Sequence, residues 1–197
     1  MIPFVVLLVA FGILLGVLYS VPPFRLRKTA YKPIVNFTVG AVPVLIVVAF
    51  FEMYSISTVA LVLLIGVTTA VNSLWEDLAD YASDFQNGSK TLPIIFGYRN
   101  GLLLTVILGY TLIPLMVFVG FLFKLGWIYY SSLIGLAIFV SLRLIQKRAI
   151  LLRNGKDNAK KIHKLGEILA RDFVVIAIVF TLSLMMSSLL KINPIFL

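Results

Sequence analysis

The chain has 197 residues, of which 61% are apolar, and its formal net charge is +9. Its mean hydropathy of +1.07 lies well above that of a soluble domain. This excludes an ordinary soluble all-α protein, since the apolar runs lack the polar faces that such helices need. The sequence contains no cysteine, which excludes disulfides and cysteine-ligated metal centres.

Six apolar runs are long enough to cross a membrane, which takes about 20 mostly apolar residues. The sequence therefore predicts an all-α integral membrane protein, with residues 1–197 forming one transmembrane helical domain. The first run has no basic segment before it and no convincing small-residue cleavage site, so we interpret it as a retained helix. The predicted spans are 2–19, 34–53, 56–75, 101–123, 126–142 and 172–190.

Positive charge is concentrated in alternate connections between these spans. Residues 20–33, 76–100 and 143–171 hold 15 of the 17 Lys and Arg residues. Because cytoplasmic loops are enriched in these residues, the three connections are predicted to be cytoplasmic, in a multi-pass protein of the cell membrane. This topology accounts for the high net charge, so no nucleic-acid partner is expected.

The first of these connections reads "YSVPPFRLRKTAYKPIVN" over residues 19–36. Its two adjacent prolines prevent the first helix from continuing. Four cations then follow within eight residues. They could anchor the chain at the membrane surface, or they could bind a phosphate group. The cations are Arg25, Arg27, Lys28 and Lys32.

The second connection begins with "LWEDLADYASDFQNGSKTLP", residues 74–93, and holds four of the chain's eight acidic residues. If residues 56–84 form one helix, Asp77, Asp80 and Asp84 share a face, with Asn72 and Glu76 along its edge. Carboxylates this close repel one another. Either they are solvated or they hold a divalent cation such as Mg²⁺, and the second reading is favoured because no basic residue precedes Lys90 within this stretch.

The third connection, residues 143–171, alternates cations with apolar residues. It is predicted to form a basic amphipathic surface helix, broken near Asn154–Gly155, that binds anionic lipid headgroups. His163 lies there among lysines and is predicted to be solvated, without partners of ligand type.

The first two of these segments, residues 19–36 and 74–93, resemble motifs of the UbiA-type intramembrane prenyltransferases. Asp77, Asp80 and Asp84 match the D-x-x-D-x-x-x-D spacing of that family's second aspartate-rich motif, which is followed here by "NGSKTLP". The resemblance covers nearly the whole chain, as helices four to nine of a nine-helix fold. The residues that match the earlier signature are Tyr19, Ser20, Pro22, Arg25, Lys28 and Asn36.

The resemblance implies an enzyme of isoprenoid biosynthesis, which transfers a prenyl group from a prenyl diphosphate to an aromatic or other lipophilic acceptor within the membrane. It implies Mg²⁺ as the cofactor, held by Asp77, Asp80 and Asp84. Tyr19 joins these aspartates as a candidate catalytic residue. Candidates for substrate binding are Ser20, Arg25, Arg27, Lys28, Lys32, Asn36, Asn72 and Lys90.

The sequence departs from the family pattern in two ways. The family's first motif, N-D-x-x-D-x-x-x-D, has no counterpart, because no acidic residue precedes Glu52, and Ala82 stands where the second motif often has glutamate. The chain is therefore expected to correspond to the C-terminal two-thirds of such an enzyme, with a partner polypeptide supplying the missing N-terminal helices. The alternative is a non-catalytic membrane protein: a decayed or split prenyltransferase subunit, or a cation-binding transporter component.

Overall fold

A computed structural model describes residues 2–152 and 159–192, and within those residues the chain is almost entirely helical. Six of its helices are long and apolar enough to cross a membrane, which confirms the predicted all-α membrane architecture. A short 3₁₀ turn, Leu26–Lys28, follows the first helix. The α-helices are α1 (Ile2–Ser20), α2 (Lys32–Phe50), α3 (Ile56–Ala79), α4 (Tyr81–Gln86), α5 (Leu92–Phe96), α6 (Tyr98–Leu122), α7 (Trp127–Leu151) and α8 (Ala159–Ile192).

The packing of α2 against α3 is close because small residues lie between the two helices. A Cβ atom on Gly40 would collide with Thr69, and one on Gly66 would collide with the ring of Phe37. Thr69 also donates a hydrogen bond of 2.8 Å to the carbonyl oxygen of Asn36. Small residues and interhelical hydrogen bonds are the usual means by which membrane helices associate. This contact fixes the start of α2 beside the end of α3.

The prediction of one helix over residues 56–84 is wrong at Asp80. There α3 ends, the backbone has φ −90° and ψ 4°, and α4 begins at the next residue. Aspartate favours hydrogen bonding outside helices, and the neighbouring like charges weaken the helix further. Because Asp80 still donates its N–H to the carbonyl of Glu76 at 2.9 Å, the interruption is confined to one residue.

The prediction of a surface helix over residues 143–171 is also wrong for the residues that the structure describes, since residues 143–151 continue α7 and residues 159–171 begin α8. The seventh helix extends to Leu151, beyond the predicted end of its span at 142, and α8 already begins at Ala159. The reason is visible at Arg143, whose charge is paired within the bundle and does not end the span. The predicted break near residues 154–155 lies outside the described residues.

Because successive spans run in opposite directions, the α1–α2 turn, the segment from α4 to α5, the end of α7 and the start of α8 lie at one end of the bundle. The first two touch directly at Thr29 and Lys90, which form a short parallel bridge. At this end the chain places most of its polar residues.

Candidate functional site

The basic turn and the segment after the aspartates are joined through their backbones. Lys90 donates its N–H to the carbonyl of Lys28 at 2.9 Å. The turn is held in shape by Thr29, whose hydroxyl donates to the carbonyl of Leu26 at 2.8 Å. Arg25 adopts the left-handed conformation, with φ 40°. The two segments singled out from the sequence, about 50 residues apart, therefore form one surface.

Below this surface lies a buried ion pair between α2 and α3. The ammonium of Lys32 lies 2.7 Å from Oδ1 of Asp77 and 3.3 Å from Oε2 of Glu76. Asn72 donates a hydrogen bond of 2.9 Å to the other oxygen of Glu76. Asp77 is only 2% exposed, so its charge depends on these partners for stabilisation. Lys32, predicted to bind substrate, is thus already engaged by two carboxylates.

One oxygen of Asp77 is left without a partner. The Oδ2 atom of Asp77 is buried and accepts no hydrogen bond. The carboxylate of Asp84 is close enough to interact electrostatically with the carboxylate of Asp77. Buried polar atoms are seldom left unsatisfied, and a carboxylate oxygen of this kind is a suitable ligand for a divalent cation. Since Mg²⁺ usually takes one or two carboxylates, with waters and substrate phosphate completing its shell, Asp77 and Asp84 fit the ion.

Asp80 points away from this pair. Its Oδ1 lies 3.6 Å from Nδ1 of His163 on α8. The approach is possible because α8 packs closely on the end of α3, where Gly166 faces Ala79. His163 is 62% exposed, in line with the prediction that it is solvated, but Asp80 is a partner that the sequence did not indicate. Among the described residues no three acidic or histidine side chains are grouped to hold a metal ion.

The remaining predicted residues surround the same end of the bundle. Tyr19, in the last turn of α1, is near enough to interact electrostatically with Lys32. Asn36 lies one helical turn beyond Lys32 and is partly buried. Ser20, Arg25, Arg27, Lys28 and Lys90 are exposed, and within the described residues none of the four cations is paired with a carboxylate.

A model of the UbiA prenyltransferase family matches residues 2–165. The chain belongs to the UbiA prenyltransferase family. The match includes both segments of the site, from Tyr19 to Lys90, and reaches the first turns of α8. No curated protein and no solved structure shows significant similarity to the chain.

A cavity of about 280 Å³ lies beside the site, and the family resemblance gave no indication of it. It is lined by residues of α3, α6, α7 and α8, and its wall is mainly apolar. Four charged residues also line it: Glu76, Asp80, Arg143 and Asp172. Arg143 and Asp172 form an ion pair there, with Nε of the arginine 3.0 Å from Oδ2 of the aspartate. The available sequence signal was weak: Arg143 and Asp172 lie at the ends of two apolar spans, where opposite charges often pair inside a membrane protein.

Proposed function

We propose that this protein takes part in Mg²⁺-dependent transfer of a prenyl group from a prenyl diphosphate to a lipophilic acceptor in the membrane. Membership of the family supports the reaction class. The observation that carries the proposal is the backbone contact between Lys28 and Lys90. It joins the turn that carries the unpaired cations to the segment that follows Asp84, whose carbonyl oxygen accepts the N–H of Ser89 at 3.0 Å. A metal-bound diphosphate needs both cations and carboxylates.

In this reaction the C–O bond of the prenyl diphosphate breaks and leaves its electron pair on the diphosphate. We propose that the departing anion is bound by Arg25, Arg27, Lys28 and Lys90. Asp77 and Asp84 would hold the metal, with Asp80 as a third candidate. When bound, Mg²⁺ neutralises charge that develops on the diphosphate. Lys32 pairs with Asp77 and orients its carboxylate. The allylic cation then bonds to the acceptor, whose displaced proton passes to the released diphosphate, and the surrounding apolar spans exclude water.

Mg²⁺ and a prenyl diphosphate are expected to stabilise the protein cooperatively. Mg²⁺ and geranyl diphosphate together should raise the melting temperature in detergent by more than the sum of their separate effects, because each supplies charge that the other needs. The measurement is a thermal shift over a matrix of both concentrations. The variant Asp84→Asn should lose this excess, since it removes a carboxylate from the proposed metal site.

The matched control for this experiment is Glu52→Gln, which removes a carboxylate from the opposite end of the bundle. It should retain the full excess stabilisation. A strictly additive response in the unaltered protein, or an excess that persists in Asp84→Asn, would contradict the proposed metal–diphosphate site.

We also propose that the site faces the cytoplasm, since the connections at its end of the bundle hold most of the Lys and Arg residues. The chain has no native cysteine, so single cysteines can be placed freely. In closed vesicles, cysteines at Asn87 and Met53, both exposed, should react with an impermeant maleimide from opposite sides. Labelling of both from one side would refute this orientation.

We propose that prenyl transfer requires metal-binding carboxylates in addition to those in this sequence. The first aspartate-rich motif of the family is absent from this sequence, and the diphosphate site described above has metal ligands on one side only. We propose that a polypeptide bearing that motif completes the site. Activity assays of this chain are therefore best made with and without such a polypeptide.

A further inference from the structure

The cavity beside the diphosphate site has an apolar floor and a polar rim. Met116 and Leu133 line its deeper part, while Glu76 and Asp80 line the part nearest the basic turn. Trp75, from α3, contributes an aromatic surface to the wall. A cavity of this kind fits a small amphiphile whose apolar ring lies toward the membrane centre and whose polar groups point to the rim.

The described residues of the rim carry more negative than positive charge. Glu76, Asp80 and Asp172 contribute carboxylates, whereas Arg143 is the one cationic lining residue among those that the structure describes. The charge of Arg143 is already paired, since its side chain forms two contacts with Asp172, at 3.0 and 3.2 Å, and lies over the ring of Phe139. An anionic ligand would therefore meet a surplus of negative charge and, among the lining residues that the structure describes, no unpaired cation.

Hydrogen-bond acceptors on this rim are, in contrast, available. Asp172 is 9% exposed and lines the cavity, and Arg143 occupies one acceptor site on each of its carboxylate oxygens, which leaves further acceptor capacity. The carboxylate of Asp80 is about half exposed at the rim. A ligand that donates hydrogen bonds can satisfy these oxygens without bringing in charge.

We propose that this cavity binds the acceptor, and that the acceptor is a neutral hydroxyl-bearing ring rather than an aromatic carboxylate or a phosphate ester. The proposal rests on the proposed function, because it names the acceptor class of that reaction. Glu76 belongs to both sites: it lines the cavity and lies 3.3 Å from Lys32, which pairs with Asp77. The acceptor would thus lie across the end of α3 from the departing diphosphate.

Binding can be measured directly by fluorescence. Trp75 lines the cavity, and the other tryptophan, Trp127, is 75% exposed at the far end of α7. In a Trp127→Phe background, Trp75 is the sole reporter. The probes are 1-naphthol and 1-naphthoate, which have the same ring and differ in charge. We expect saturable quenching by 1-naphthol, with an apparent Kd about tenfold or more below that of 1-naphthoate.

Two variants separate cavity binding from partition of the probes into detergent. Gly109 lines the cavity and has room for a side chain, so Gly109→Leu should fill the space and abolish saturable quenching. Asp172→Asn should weaken 1-naphthol binding about tenfold and strengthen 1-naphthoate binding, because it releases Arg143. If Asp172→Asn fails to fold, the double variant Arg143→Gln with Asp172→Asn removes the pair without leaving a lone charge. It should lose the preference for 1-naphthol.

Equal affinity for the two probes in the Trp127→Phe protein would overturn the proposal, as would saturable quenching that survives Gly109→Leu. Probe binding needs neither Mg²⁺ nor a prenyl diphosphate, so this test is independent of the thermal-shift experiment. If 1-naphthol binds selectively while Mg²⁺ and geranyl diphosphate show no excess stabilisation, the cavity assignment stands and the transfer reaction fails. If Mg²⁺ and geranyl diphosphate show excess stabilisation but 1-naphthol does not bind selectively, the transfer reaction stands and the proposed acceptor class is wrong.

Discussion

Replacing Lys32 by methionine is expected to lower the free energy of unfolding by about 3–5 kcal/mol, as is typical when one member of a buried ion pair is removed. Asp77 is 2% exposed and accepts the ammonium of Lys32 at 2.7 Å, so the variant leaves a buried carboxylate without its counter-ion. The measurement is SDS-induced unfolding in mixed micelles, monitored by near-ultraviolet circular dichroism.

The double variant Lys32→Met with Asp77→Leu provides the control, because it removes both charges and retains most of the volume. Apolar replacement of a whole buried pair is often neutral, so the double variant should recover most of the lost stability. It should nevertheless lose the cooperative response to Mg²⁺ and geranyl diphosphate. A loss below about 1 kcal/mol in Lys32→Met would be in the range of a surface ion pair and would show that Lys32 does not support Asp77.

Asp77→Asn is expected to lower the rate of prenyl transfer by about 10²–10³-fold, the usual cost of one preorganised electrostatic contact at a reacting centre. The amide keeps the shape of the side chain but removes the charge that the metal needs. It also leaves Lys32 with Glu76 as its remaining anionic partner, at 3.3 Å. The expected loss is read from the rate of incorporation of a radiolabelled prenyl group into a lipid-soluble product.

The six spans could be predicted because each depends on a local property, an apolar run of sufficient length. The inner end of the fifth span could not, because it depends on a contact between distant residues. Arg143 belongs to α7 because Asp172, 29 residues later, receives its charge. The sequence shows Arg143 only as a cation in a basic stretch, and this led to the prediction of a surface helix where the described residues continue α7 and α8.

The aspartate motif was recognisable from its spacing, but the direction of each side chain was not. Spacing on one ideal helix places Asp77, Asp80 and Asp84 on a common face. The interruption at Asp80 and the approach of α8 turn this residue toward His163, while Lys32 engages Asp77. The contacts with Lys32 and His163 arise from packing between residues 45 or more positions apart, which local sequence patterns do not encode.

The most direct test of the central claim is a transfer assay on membranes that contain this chain and a polypeptide bearing the family's first aspartate-rich motif. Radiolabelled geranyl diphosphate is supplied with Mg²⁺ and neutral hydroxylated aromatic acceptors, and product formation is compared among the unaltered chain, Asp77→Asn and Glu52→Gln. Our account predicts Mg²⁺-dependent transfer that Asp77→Asn lowers by about 10²–10³-fold and Glu52→Gln leaves unchanged. Transfer at an undiminished rate by Asp77→Asn would contradict it.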